Sequence, residues 1–197
     1  MHRTRMMTAT LCLLTLAVAG CGTSSPARYY SLVPATSGVA GSLPAGVAVS
    51  IGPIRIADYL RRSQIVTRGG GVRTNLAEFD LWFEPLEKSF QRTVADNVAA
   101  LLDSKRVFEF PAQSQLQTGY QVPLQVTRFD TDDDGEAVLE VQWMVQDLDN
   151  QPVVEGRRSR YMANVPAPTD YDAIVTTLSG LVGDFSRDVA NTLAKLP

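Results

Sequence analysis

The 197-residue chain sets 18 Lys and Arg against 21 Asp and Glu, a net charge of −3, with both signs interspersed along its length. That balance lacks the basic footprint by which a domain holds nucleic acid, so no nucleic-acid partner is expected. The only histidine, His2, and one of the two cysteines, Cys12, fall within the first twenty residues. Beyond them no Ser-His-Asp or Cys-His pair, no His- or Cys-ligated zinc and no internal disulfide can be assembled, so neither an enzyme nor a cofactor is expected.

The chain opens with Arg3 and Arg5, then an apolar stretch from Met6 to Val18, then Leu16-Ala17-Val18-Ala19-Gly20-Cys21. A basic start, a short apolar core and small residues at the cut have the layout of a secretory signal. The stretch is short of the roughly 20 apolar residues a membrane span needs. Small residues followed directly by Cys look like the lipobox of bacterial lipoproteins, so residues 1–20 read as a cleaved signal and Cys21 as the lipidated first residue. Cleavage takes away two arginines and no acids, leaving 177 residues with a net charge of −5. Two acyl signals already give stable anchoring, so an acylated Cys21 holds the protein at a membrane. Gly22 stands where an Asp acts as an inner-membrane retention signal in many such lipoproteins. By that resemblance the expected place is the periplasmic face of the outer membrane.

Residues 21–46 read as the lipidated cysteine and a flexible tether, small and polar at Gly22–Ala27 and rich in Pro, Gly and Ser from Pro34 to Gly46. Within it the aromatic run 28–32 suits a short edge strand. A single domain is expected over 47–197. Val47, Val49 and Ile51 alternate, and after Gly52-Pro53 the pattern resumes at Ile54 and Ile56, which predicts one strand with a break or bulge. Gln64–Arg68 and Gly71–Leu76 flank Gly69-Gly70-Gly71 and predict a hairpin whose tip needs positive φ.

From Glu84 to Ser104 the period lengthens: Leu86, Phe90, Val94, Val98, Leu101 and Leu102 mark an amphipathic helix, with Pro85 in its first turn. Three strands are predicted next, on Tyr120–Val126, Leu139–Val145 and Pro152–Tyr161, with turns at Asp134-Gly135 and Asn150. A second helix begins near Thr169–Asp172 and runs to about Lys195 on the stripe Tyr171, Ile174, Val175, Leu178, Val182, Phe185, Val189 and Leu193. Strands, helix, strands, helix predicts an α+β two-layer sandwich, a mixed or antiparallel sheet with two long amphipathic helices on one face.

Four motifs carry candidate chemistry. Asp130-x-Asp132-x-Asp134-Gly135 copies the first half of an EF-hand loop, but Val141 stands where the bidentate carboxylate belongs. It reads as an acidic hairpin tip, with a weak Ca²⁺ site as the alternative. The glycine triplet has no Lys-Ser/Thr behind it and reads as a hairpin tip. Arg158 and Arg160 share one face of a strand, either as a solvated face or as a contact for lipid head groups or an acidic partner. Leu81-Trp82-Phe83 is more apolar bulk than one face can bury, so Trp82 either caps the core or anchors a partner.

Taken in order, the lipobox, Tyr29-Tyr30-Ser31-Leu32, the run from Gly52-Pro53 through Tyr59-Leu60 to Gln64-Ile65-Val66, and Trp82-Phe83-Glu84-Pro85-Leu86 resemble the ABC-type transport auxiliary lipoproteins, the PqiC-like group. The chain departs from that pattern with Ala57 where the group has proline before the Tyr-Leu. It departs again with Pro123 inside Tyr120–Phe129, where a missing N–H favours an edge or bulged strand. The resemblance implies a non-catalytic part of an envelope lipid-transport machine. Its partners would be an MCE-domain protein and the associated inner-membrane transporter, and a homo-oligomeric ring is implied. It also points to Tyr59, Leu60, Leu81, Trp82 and Phe83 as contact residues.

The competing expectation is a structural or regulatory lipoprotein acting on cell-wall synthesis machinery. Seven residues separate Cys21 from Tyr29, a reach of roughly 25 Å, which keeps the body near its membrane and favours the transport reading.

Overall fold

The computed structural model describes residues 26–111 and 119–196; Cys21 and its lipobox lie outside the described residues. Eight strands and two helices follow one another as β1 (Arg28–Tyr30), β2 (Ala48–Ile56), a 3₁₀ turn (Asp58–Leu60), β3 (Gln64–Gly69), β4 (Arg73–Trp82), α1 (Leu86–Leu101), β5 (Val107–Glu109), β6 (Gly119–Thr131), β7 (Glu136–Gln146), β8 (Pro152–Asn164) and α2 (Tyr171–Leu193). The result is the α+β sandwich that the element order implied, built on a mixed sheet.

Strand β6 organises that sheet. One of its edges pairs antiparallel with β7, which pairs antiparallel with β8. Its other edge is shared: the first half pairs parallel with β2, which carries β5, and Thr131 at its far end pairs with Thr67 of β3, which carries β4 and β1. Pro123 therefore sits in a central strand, which corrects the expectation of an edge, while the expected bulge is present. Ile51 pairs with Val122 and Ile54 with Leu124, so Gly52 and Pro53 together face Pro123. Three residues meet where the ladder is interrupted, and neither proline is asked for an N–H it lacks.

Both helices cover one face of this sheet and pack on each other. Alternation along β7 is strict from Leu139 onward: Leu139, Val141, Trp143 and Val145 are buried, whereas Glu140, Gln142, Met144 and Gln146 are half-buried on the open face. Three phenylalanines knit the layers, Phe90 of α1 lying 5.5 Å from Phe129 of β6 and 6.3 Å from Phe185 of α2. Pro85 stands at the N-cap of α1, just outside the helical run. Helix α2 is N-capped by Asp170, whose side chain accepts the Asp172 N–H at 3.0 Å, and so satisfies one of the orphan donors of the first turn.

Several boundaries move. Strand β4 runs on to Trp82, past the Leu76 limit expected from the hairpin, and β5 is a three-residue strand too short to show a period. Residues 33–46 have no regular structure yet are laid across the helices. The Val33 N–H reaches Ser179 Oγ, the Ala35 N–H reaches Asn97 Oδ1, and the Ala40 N–H reaches the Leu101 carbonyl at 2.7 Å. Gly183 permits this approach, because a Cβ there would lie 2.2 Å from the Ala35 carbonyl oxygen. Residues 33–46, expected as part of a flexible tether, are thus packed on the helices. Among the described residues no helix is long and apolar enough to cross a membrane.

Candidate membrane and partner interfaces

The first surface lies at the sheet edge where the chain enters the fold. Strand β1 pairs parallel with the end of β4, setting Arg28 beside Asp80, Tyr29 beside Leu81 and Tyr30 beside Trp82. Alternation sorts these pairs. Tyr30, Asp80 and Trp82 turn inward and are buried. The Asp80 carboxylate accepts a bond from the Tyr30 hydroxyl at 2.8 Å and from the Arg28 guanidinium at 3.0 Å. Burial, and then the bond to Asp80, push the Tyr30 hydroxyl up to about 12. On the outer side Tyr29 and Phe83 are 62% and 73% exposed and meet edge to face at 6.4 Å, with half-buried Leu81 opposite Tyr29 in the strand register.

Next to this edge a cleft of about 450 Å³ opens between the 61–63 segment and the start of α1, with Ile56, Trp82, Phe83 and Leu86 on its walls and Arg61 and Arg62 beside them. Its rim is tied down by Glu84, whose two carboxylate oxygens accept both Arg92 nitrogens, one at 3.0 Å. The Arg92 hydrogen bond holds the Glu84 carboxyl below its ordinary range. The Leu81-Trp82-Phe83 run is thereby resolved: Trp82 stacks on Phe129 at 6.5 Å and caps the core, while Phe83 is the exposed member.

The Tyr59-Leu60 corner is mostly interior. Leu60 is 2% exposed, so it offers no contact surface, and the same holds for Trp82 outside the cleft wall. Tyr59 is half-buried and its hydroxyl donates a hydrogen bond to Asp130 at 2.8 Å. Asp130, fully buried, also takes Arg68 Nε at 3.0 Å and Arg128 Nε at 2.8 Å, while the Arg68 guanidinium lies 5.8 Å from the Tyr59 ring centre. Burial, then the Asp130 charge, push the Tyr59 hydroxyl up to about 12. The first acid of the EF-hand-like run is therefore committed to a tyrosine and two arginines. Asp132 accepts the Glu136 N–H at 2.9 Å, and Asp133 accepts the Gly70 N–H, joining the acidic tip to the glycine tip. Among the described residues no three acidic, His or Cys groups are placed to hold a metal ion.

The second surface is the sheet face turned away from the helices. Strand register aligns Arg55, Gln125, Gln142 and Arg158 in one row across β2, β6, β7 and β8. This row borders a groove of about 570 Å³ that Pro53, Pro123, Met144 and Gly156 also line. Arg157 lies 4.8 Å from the Trp143 ring centre, a cation–π contact at the same groove. Arg160 is spoken for, facing Glu140 at 3.6 Å and Glu136 at 4.0 Å. Of the two arginines singled out in the sequence, Arg158 joins the groove and Arg160 an ion-pair ladder, and neither lines the cleft. Sequence reasoning missed Arg55 and the groove. Their only advance signal was a proline in each of two neighbouring strands.

These features define a two-layer α+β domain whose accessible features are an aromatic edge at the chain entry, a cleft beside it and an arginine-bordered groove on an open sheet. The chain belongs to the ABC-type transport auxiliary lipoprotein component family, whose model matches residues 30–190. It is 25% identical over 182 residues to the intermembrane transport lipoprotein PqiC of Escherichia coli K12, covering 91% of this chain and 94% of that one. The PqiC of Shigella flexneri is similar to the same extent. Among solved structures, a crystal structure of an uncharacterized protein superposes with a TM-score of 0.71 at 21% identity, covering 85% of this chain and 99% of that one. A Xanthomonas campestris protein superposes with a TM-score of 0.63 at 17% identity, over 84% and 95% of the two chains. At these identities the solved structures show the fold alone.

Proposed function

We propose that this protein is a periplasmic lipoprotein anchored to the outer membrane through Cys21, where it docks the far end of a lipid-transport conduit and supports envelope integrity. The conduit is formed by an MCE-domain protein and its associated inner-membrane transporter, and the lipoprotein acts as a homo-oligomeric ring. The observation that carries this reading is the family match over residues 30–190, directly behind a lipobox. The tether of seven residues supports it further, because a reach of roughly 25 Å keeps the body beside its membrane. The row Arg55 to Arg158 is the proposed docking face for the conduit, since an open, hydrogen-bonding sheet face bordered by arginines suits a polar protein surface. Crosslinking in intact cells followed by purification tests the reading. An MCE-domain protein should be recovered with the wild-type chain and in much lower yield with Arg158→Glu; recovery of none with wild type overturns the docking claim.

A further inference from the structure

We propose that Tyr29, Leu81 and Phe83 form a membrane-seating patch, by which the folded body rests on the phospholipid surface that holds its anchor. The inference rests on the reading of Cys21 as the acylated residue and goes beyond it by assigning which side of the domain touches lipid.

Two independent observations meet at this patch. The first is where the chain enters the fold. Strand β1 begins at Arg28, so the edge β1–β4 is the first part of the body that the tether reaches. Seven residues lie between Cys21 and Tyr29, which reach at most roughly 25 Å even when fully extended. Tyr29 is therefore held close to the headgroup layer. The second is the chemistry exposed there. Tyr29 and Phe83 are 62% and 73% exposed, their rings touch edge to face, and Leu81 fills the register position beside Tyr29. Large apolar side chains clustered in water are a marker of a binding surface. Rings of this kind, with an apolar body and in Tyr29 a polar tip, suit the boundary between headgroups and acyl chains. Exposed Arg62 and Arg61, the latter 3.7 Å from Asp58, stand near Phe83 at the cleft beside Glu84 and Glu87, within reach of lipid phosphates at the same end.

The strand direction supplies a built-in control. From Trp82, β4 runs back ten residues to Arg73 and the glycine hairpin tip, where Val72 is fully exposed. At about 3.4 Å per residue the two ends stand roughly 30 Å apart. Val72 therefore serves as an exposed reference position outside the patch.

Because mature Cys21 is the sole cysteine and its sulfur is acylated, a cysteine placed elsewhere is a unique labelling site. The full-length lipidated protein, as Phe83→Cys or Val72→Cys, is labelled with an environment-sensitive fluorophore. It is then reconstituted on vesicles of phosphatidylethanolamine and phosphatidylglycerol carrying a headgroup-level spin-label quencher. Quenching at position 83 should exceed that at position 72 several-fold, and the emission at 83 should shift to the blue on vesicle binding. Equal quenching at the two positions, in protein that floats with the vesicles, overturns the proposal and assigns the patch to a protein partner. Flotation of Cys21→Ala equal to that of wild type overturns the anchor reading instead, so the two failures are distinguishable. Both sites are exposed, and an unchanged circular dichroism spectrum verifies that each variant is folded.

Discussion

Removing the Asp130 carboxylate tests whether Tyr59 is a structural residue. Asp130 is fully buried and accepts bonds from the Tyr59 hydroxyl, Arg68 and Arg128, so three segments of the chain converge on one charge. Breaking a buried pair from one side costs about 3–5 kcal/mol. Here the arginines retain partial access to water, with Arg68 at 42% and Arg128 at 19% side-chain exposure, so Asp130→Ala is expected to cost about 2–4 kcal/mol after discounting for screening. Tyr59→Phe removes the hydrogen bond to the Asp130 carboxylate and the one the hydroxyl accepts from the Phe129 N–H at 3.3 Å, and is expected to cost about 2–3 kcal/mol. Because both changes delete the same bond, the double variant should fall short of additivity by about 1 kcal/mol or more. Urea unfolding at neutral pH measures all three, with a lower midpoint and an unchanged m-value expected. A loss below about 0.5 kcal/mol for Asp130→Ala, within the range of ordinary surface changes, would refute the hub. It would return Tyr59 to the candidate partner contacts.

The same tyrosine gives the fold an alkaline limit. Its hydroxyl is pushed from 10 to about 12, so the folded state favours the protonated form; that contribution is complete below pH 10 and is lost as pH rises through about 12. Tyr59→Phe should therefore lose less stability than wild type between pH 10 and 12 in denaturant titrations, and an identical pH slope contradicts the assignment. At the chain entry, Trp82→Ala should cost about 3–5 kcal/mol through the cavity it leaves against Phe129. Phe83→Ala, one residue on, should stay within about 0.5 kcal/mol. Thermal melts of the two variants that coincide would mean the inward and outward assignments along β4 are mistaken.

What was legible in the sequence follows from the range of the forces involved. The helix stripe Leu86 to Leu101 and the alternation Leu139 to Val145 repeat often enough for local periodicity to outweigh everything else, and both elements form where the pattern places them. The turn at Asp134-Gly135 is equally local: Gly135 takes φ +82°, which glycine adopts without strain. Leu81-Trp82-Phe83 shows the limit. Three apolar residues in succession have no period, and only the pairing of Tyr30 with Trp82 decides which of them turns inward. The Arg55–Arg158 row was beyond sequence reasoning for the same reason, since its members are far apart in the chain and meet only through the registers of three strand pairs.

The resemblance that named Tyr59, Leu60 and Trp82 as contacts selected positions that the structure uses mainly to hold the chain entry and the sheet together. Leu60 and Trp82 are buried, and the Tyr59 hydroxyl is spent on Asp130. A motif can mark a family because a fold requires it, without marking where a partner binds. In this chain exposed aromatic residues are the neighbours of that motif. Phe83 follows Trp82 and points outward, Tyr29 precedes Tyr30 and points outward, and both do so because a strand must alternate. The fixed inward members set the position of the outward ones, so a rigid core is what holds the exposed aromatic pair in place.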